Sequence, residues 1–168
     1  MSFLGLDPST RTGWCLLHPN GSYTAGEVYF RDKVGIERAL AFSDWLAQFL
    51  QQNTVSTITV EGYGFANAHT LVPLVEIGTM FRMVAKLSDI PCQEVPPTVL
   101  KKFCTGSGSA KKEVIIREVF RRWAFEAKTN NEADAFVLAH IGRARALGEA
   151  GGYPKLQMES LKNLSVTP

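Results

Sequence analysis

Three acidic residues stand where a shared metal site would need them. Asp7 closes a short apolar run, Phe3 to Asp7, and Pro8-Ser9-Thr10 after it has turn composition. Glu61 closes a β-branched run, Ser56 to Val60, and leads into Gly62-Tyr63-Gly64. Asp134 sits near the start of a helical stretch, Asn130-Asn131-Glu132-Ala133-Asp134-Ala135. In open α/β sheets ligands gather at strand ends, so two parallel neighbouring strands that each end in an acid place both acids at one edge. Helical spacing puts Asn131 and Asp134 on one face and turns Glu132 away. Oxygen donors of this kind suit Mg²⁺ or Mn²⁺. Two such ions roughly 3.5–4 Å apart activate a water and stabilise a leaving oxygen in phosphodiester cleavage. Each acid also has a plainer account: Asp7 as a turn residue, Glu61 as the first polar residue after a strand, Asp134 as an acid favoured by the helix dipole. Dismissing the site requires all three accounts at once.

The elements that must carry these acids are legible in outline. Phe3–Asp7, Gly13–Leu17 and Gly26–Phe30 are apolar runs with tight connections, and Asn20-Gly21 is a hairpin signal between the second and third. Apolar residues at helical spacing predict an amphipathic helix over 35–52. The run 56–60 is a buried strand. A second helix has Leu71, Leu74, Val75, Gly78, Phe81, Val84 and Ala85 on one face. Cys92–Val95 is a short strand stopped by Pro96-Pro97, and Thr98 can cap a helical turn reaching Phe103. Helices follow over 110–123 and 131–147. The order β-β-β-α-β-α-β-α-α calls for an α/β domain, a mixed five-stranded sheet with helices on both faces. Residues 148–168 lack periodicity and are expected to be a tail, ordered only if it docks.

Composition narrows the class. With 168 residues, 45% hydrophobic and 20% charged, the chain suits one soluble domain. No run is long enough to span a bilayer, and the start lacks a basic n-region, so no membrane association is expected and the cytoplasm is the default. Cys15, Cys92 and Cys104 are odd in number and widely spaced, which predicts reduced thiols rather than a disulfide or zinc framework. The net charge of +2 conceals a local excess: Lys101 to Trp123 carries seven Lys/Arg against two Glu, a net +5. Such a segment is either a polyanion-binding face or a solvated helix surface.

Leu4-Gly5-Leu6-Asp7-Pro8-Ser9-Thr10-Arg11-Thr12-Gly13-Trp14 resembles the opening motif of RuvC-type Holliday junction resolvases. Val60-Glu61-Gly62-Tyr63 resembles their second acidic motif, 97–112 their basic stretch, and Asn131-Glu132-Ala133-Asp134-Ala135 their final acidic helix. The motifs run in order from about residue 3 to 147. The resemblance implies an RNase H-like fold over 1–147, a homodimer, and paired metal-dependent nicks in a four-way DNA junction that leave 5′-phosphate and 3′-hydroxyl ends. It implies that Asp7, Glu61 and Asp134 ligate Mg²⁺ or Mn²⁺, two ions per site, and that Lys112 assists catalysis. Lys101, Lys102, Lys111, Lys112 and Arg11 are expected to contact DNA in a bacterial cell or phage-infected host. Two departures stand out. The family places a pair of acids three apart on the last helix, and here the first is Asn131, so Asn131 or Glu132 must supply any fourth ligand. The aromatic residue expected after the second acid is offset, leaving Tyr63 or Phe65 to stack on bases or to pack in the core.

Other readings of the same residues are a related RNase H-like nuclease acting on other branched DNA or RNA, and a non-catalytic junction-binding module. A sugar-kinase or Hsp70-like ATPase domain would need a second copy of the opening motif, which this sequence lacks. The helix over 71–88 carries Leu, Val, Met and Phe on more than one face, as an interface or a core helix would. His69, His140, Trp14, Trp45 and Trp123 are expected to be structural.

Overall fold

In strand β1 (Ser2–Asp7), Phe3 packs into one layer of the core while Leu4 and Leu6 pack into the other. A side-chain period of two then sends Asp7 to the Phe3 side. The same alternation in β4 (Val55–Glu61) commits Ile58 and Val60 to the Leu4 side and Glu61 to the side of Asp7. The computed structural model that shows this describes residues 1–62 and 68–164. Its five strands are completed by β2 (Arg11–Leu17), β3 (Tyr23–Tyr29) and β5 (Cys92–Val95), in the order β3-β2-β1-β4-β5. β1–β2 and β2–β3 pair antiparallel, whereas β1–β4 and β4–β5 pair parallel. β2 and β3 begin earlier than their apolar runs because ladder pairing extends to Arg11↔Tyr29 and Leu17↔Tyr23.

Helices cover both faces. α1 (Gly35–Gln52) and α2 (Ala68–Leu87) bury Phe42, Leu46, Ile77 and Phe81 against Leu4, Leu6, Ile58 and Val60. The other face holds α5 (Asn130–Leu147), which touches β1, β2 and β4 and is itself overlaid by α3 (Pro97–Thr105) and α4 (Lys112–Trp123). With sheet below and helices above, α5 is buried continuously from Glu132 to Gly142. Such a helix has no polar face to present. α3 starts at Pro97 with no side-chain cap, so Thr98 lies inside the helix rather than capping it. A proline in the first helical position has no N–H left to cap.

Two glycines set how near α5 comes. A Cβ built on Gly5 would overlap the Ala135 carbonyl oxygen and the Ala139 nitrogen, and one on Gly13 would overlap the Asn131 carbonyl. Residues 148–164 fold back onto this layer through a 3₁₀ turn (Gly148–Gly151) and α6 (Lys155–Ser160). Gln157 Nε2 donates to the Phe103 carbonyl at 3.0 Å, Leu161 is buried, and Arg143 donates to the carbonyls of Pro19 and Gly151. Tyr153 closes over His140, where burial lowers the imidazole pKa to about 3 and keeps it neutral. Among the described residues no helix is long and apolar enough to cross a membrane, and Cys15, Cys92 and Cys104 are free thiols.

Gly5→Ala should therefore destabilise the protein by about 3 kcal/mol, the upper end of the overpacking range, when measured by urea unfolding. A loss below about 1 kcal/mol would show that α5 lifts from the sheet at little cost.

Candidate metal centre and its cleft

The register Leu6↔Val60 sets Asp7 and Glu61 side by side on parallel neighbours. The first turns of α5 bring Asp134 over both. One carboxylate oxygen from each of the three lies within 4.8 Å of the others. They face a cleft of about 500 Å³ whose walls include Ser9, Pro97, Leu100, Lys101, Lys112, Ile115 and Asn131.

No hydrogen bond from a described residue reaches any of the three carboxylates. Burial raises the Glu61 pKa to about 7, helped by the charge of Asp134 and opposed by Lys112 and Lys101. Burial likewise lifts Asp134 to about 6 against the same two lysines. Asp7 is pushed well above the ordinary carboxylate range, first by burial and then by Glu61 and Asp134. Three partly desolvated acids without donors among the described residues are an unfavourable arrangement, and a hard divalent cation is the partner that would relieve it. The donor set, all carboxylate oxygen, fits Mg²⁺ or Mn²⁺ better than a thiolate- or imidazole-seeking metal.

Of the other expected site residues, Lys112 and Lys101 line the cleft, whereas Lys102 and Lys111 lie outside it. Asn131 lines it too, but its Nδ2 donates to the Arg11 carbonyl at 2.6 Å, leaving only its amide oxygen to offer. Glu132 is turned away: its carboxylate accepts the Lys128 N–H at 2.8 Å beside the Thr129 cap, in the manner of a capping box. The Arg11 guanidinium binds Glu27 at 2.8 Å and the Tyr29 hydroxyl, and stacks on the Tyr29 ring. Tyr63 and Phe65, and the side chain of His69, lie outside the described residues.

Sequence reasoning missed Glu27. Its second oxygen accepts from Thr129 Oγ1 at 2.6 Å, so one carboxylate clamps β2, β3 and the α5 N-terminus together. The only sequence signal is that Arg11 and Glu27 fall on diagonal positions of one antiparallel pair. The apolar wall of Pro97, Leu100 and Ile115 was missed as well, since nothing local ties α3 and α4 to the acids.

No family model matches the chain. It is 26% identical over 150 residues to the crossover junction endodeoxyribonuclease RuvC of Prochlorococcus marinus strain MIT 9313, covering 84% of this chain and 97% of that one. It is 28% identical over 135 residues to RuvC of Mycolicibacterium vanbaalenii, covering 77% and 70%. In fold it matches Thermus thermophilus RuvC in complex with Holliday junction substrate, with a TM-score of 0.70 and 19% identity over 87% of this chain and 96% of that one.

The raised acids give a pH signature. Each holds its proton to higher pH folded than unfolded, so the stability it contributes is complete below the unfolded value near 4 and is lost as pH rises through the folded value. With Glu61 at about 7 and Asp134 at about 6, EDTA-treated protein should lose denaturant stability between about pH 4 and 7. Mg²⁺ should restore it at pH 8 and do little at pH 5. An EDTA profile that rises across this window in both wild type and Asp7→Asn would contradict the electrostatics described.

Proposed function

We propose that this chain is a RuvC-type Holliday junction resolvase, an endonuclease that nicks paired strands of a four-way DNA junction and leaves 5′-phosphate and 3′-hydroxyl ends. The observation that carries the reading is the cluster of Asp7, Glu61 and Asp134, three carboxylates with no donor among the described residues, on the floor of a cleft flanked by lysines.

Asp7, Glu61 and Asp134 would hold the metal, with the Asn131 oxygen as a neutral fourth donor. Bound there, Mg²⁺ or Mn²⁺, as two ions in this reading, would supply Lewis acidity toward the attacking water and the leaving 3′ oxygen. Lys112 and Lys101, which already act electrostatically on the acids, seat the scissile phosphate and offset charge that grows on it in the transition state. Pro97, Leu100 and Ile115 exclude bulk water from one wall, which strengthens those interactions. Lys102 and Lys111, on the same basic stretch beyond the cleft, contact the backbone further along the duplex arms. Arg11 serves mainly through its clamp with Glu27 and Tyr29, and Tyr63 or Phe65 remain the aromatics that stack at the junction centre.

A homodimer supplies two such sites for paired nicks. α2 supports it: Ile77, Phe81, Val84 and Ala85 are buried in the core, while Val72, Val75 and Met83 stay exposed at helical spacing. A second copy laid on that stripe would bury it. The place of work is the cytoplasm of a bacterial or phage-infected cell.

A synthetic four-way junction should be cut by the purified protein in Mg²⁺ and not in EDTA, faster than matched Y-forks or RNA duplexes. Asp7→Asn should abolish cutting while retaining junction binding within about threefold. Cutting by Asp7→Asn at the wild-type rate would remove Asp7 from the metal site, and equal cutting of RNA would transfer the chain to another nuclease class. In sedimentation equilibrium, Val72→Glu with Met83→Glu should turn a dimer into a folded monomer. A wild-type monomer at micromolar concentration would refute the dimer.

A further inference from the structure

A second cleft, of about 380 Å³, opens between the end of α4, the middle of α5, the β2–β3 turn and the segment before α6. That volume lies within the roughly 300–1,000 Å³ range of small-molecule clefts. Tyr23, Trp123 and Tyr153 wall it with aromatic surface, and Trp123 is held with its ring centroid 4.5 Å from that of His140. Two deeply buried polar side chains line it, His140 at 6% exposure and Gln157 at 4%. His140 Nδ1 pairs with the Tyr153 hydroxyl at 2.8 Å, and Gln157 Nε2 with the Phe103 carbonyl at 3.0 Å. Their remaining polar atoms, His140 Nε2 and Gln157 Oε1, have no partner among the described residues. No buried side-chain polar atom among the described residues is both unpartnered and sealed from solvent, so these two keep access to solvent in residues that line the cleft. Arg122 lies nearer the surface, tied to Glu118 through Nε at 3.3 Å, and its terminal amines have no partner among the described residues. No carboxylate lines the cleft among the described residues.

Aromatic walls, two hydrogen-bonding atoms and a guanidinium match one ligand chemistry: a planar ring with donor and acceptor edges that carries a phosphate. We infer that this cleft binds an unpaired nucleotide, its base against Trp123 and Tyr23, its edge on His140 and Gln157, and its phosphate on Arg122. The site is separate from the metal centre. α4 joins them, with Lys112 at one end and Trp123 at the other, roughly 16 Å apart at 1.5 Å per residue. A single strand displaced from the cleavage site can span that distance in a few nucleotides. The source of that strand rests on the nuclease reading; the cleft's chemistry does not.

The test uses wild-type protein in Mg²⁺ and two unbranched nine-nucleotide strands, oligothymidylate and an abasic strand of equal charge. The base-bearing strand should bind about tenfold tighter, the scale of one stacked base. Arg122→Ala should weaken both strands, and Tyr23→Ser should lower the ratio toward one with the fold intact by circular dichroism. Independently of any variant, a strand carrying 5-iodouracil should photocrosslink to Trp123, Tyr23 or Tyr153, located by mass spectrometry. Equal binding of the two strands, or crosslinks confined to residues outside the cleft, overturns the proposal. Junction cutting by the same preparation separates the two readings. Cutting without base-dependent binding overturns the cleft alone, and base-dependent binding with cleft crosslinks but no cutting overturns the nuclease reading alone.

Discussion

Helix α5 lies against β1 and β2 with no side chain between them at Gly5 and Gly13, so backbone meets backbone. That contact brings Asp134 within carboxylate reach of Asp7 and Glu61. A methyl group at either glycine would force helix and sheet apart, and a metal site whose donors must sit at about 2 Å from an ion tolerates little of that. The same approach commits α5 to near-complete burial, which requires a second layer above it. α3, α4 and the C-terminal segment supply that layer, and with it Lys101, Lys112 and the apolar cleft wall.

Close packing gathers like charges, and the fold spends stability to keep them. Burial and mutual repulsion raise all three acids. Neutral groups at these positions would be more stable and would bring no charge to a cation, the usual trade at a functional site. Away from the two clefts, the buried polar groups of the frame are satisfied. Glu27 gathers Arg11, Tyr29 and Thr129, Asn131 bonds the Arg11 carbonyl, and Gln93 bonds Thr59 at 2.7 Å and accepts from Arg145. Polar strain is concentrated at the acidic cleft, where a divalent cation would relieve it, while its frame is held by satisfied hydrogen bonds.

Asn131 takes on a definite meaning in this frame. An acid there could not donate to the Arg11 carbonyl, and its charge would join an already crowded cluster. The amide exchanges one negative charge for a strut between α5 and β2. The fewer charges in the site make each remaining carboxylate, and the lysines beside them, more consequential.

The sequence by itself determined the strand and helix types, the mixed sheet and the three acids. Periodicity and turn chemistry are local, and acids at the ends of apolar runs are visible without coordinates. Helical spacing was enough to separate Asp134 from Glu132. It did not distinguish Lys101 from Lys102, because that depends on how α3 leans over the sheet. Nor did it mark Glu27 as buried, since an acid on an edge strand ordinarily faces water. The C-terminal segment carried no period because its few anchors, Tyr153, Gln157 and Leu161, belong to α3 and α5 rather than to one another. Only tertiary structure decided how near α5 lies to β1, and so whether three separated acids become one site: that distance is set by contacts across the whole chain, with Gly5 and Gly13 recording it as side chains left out.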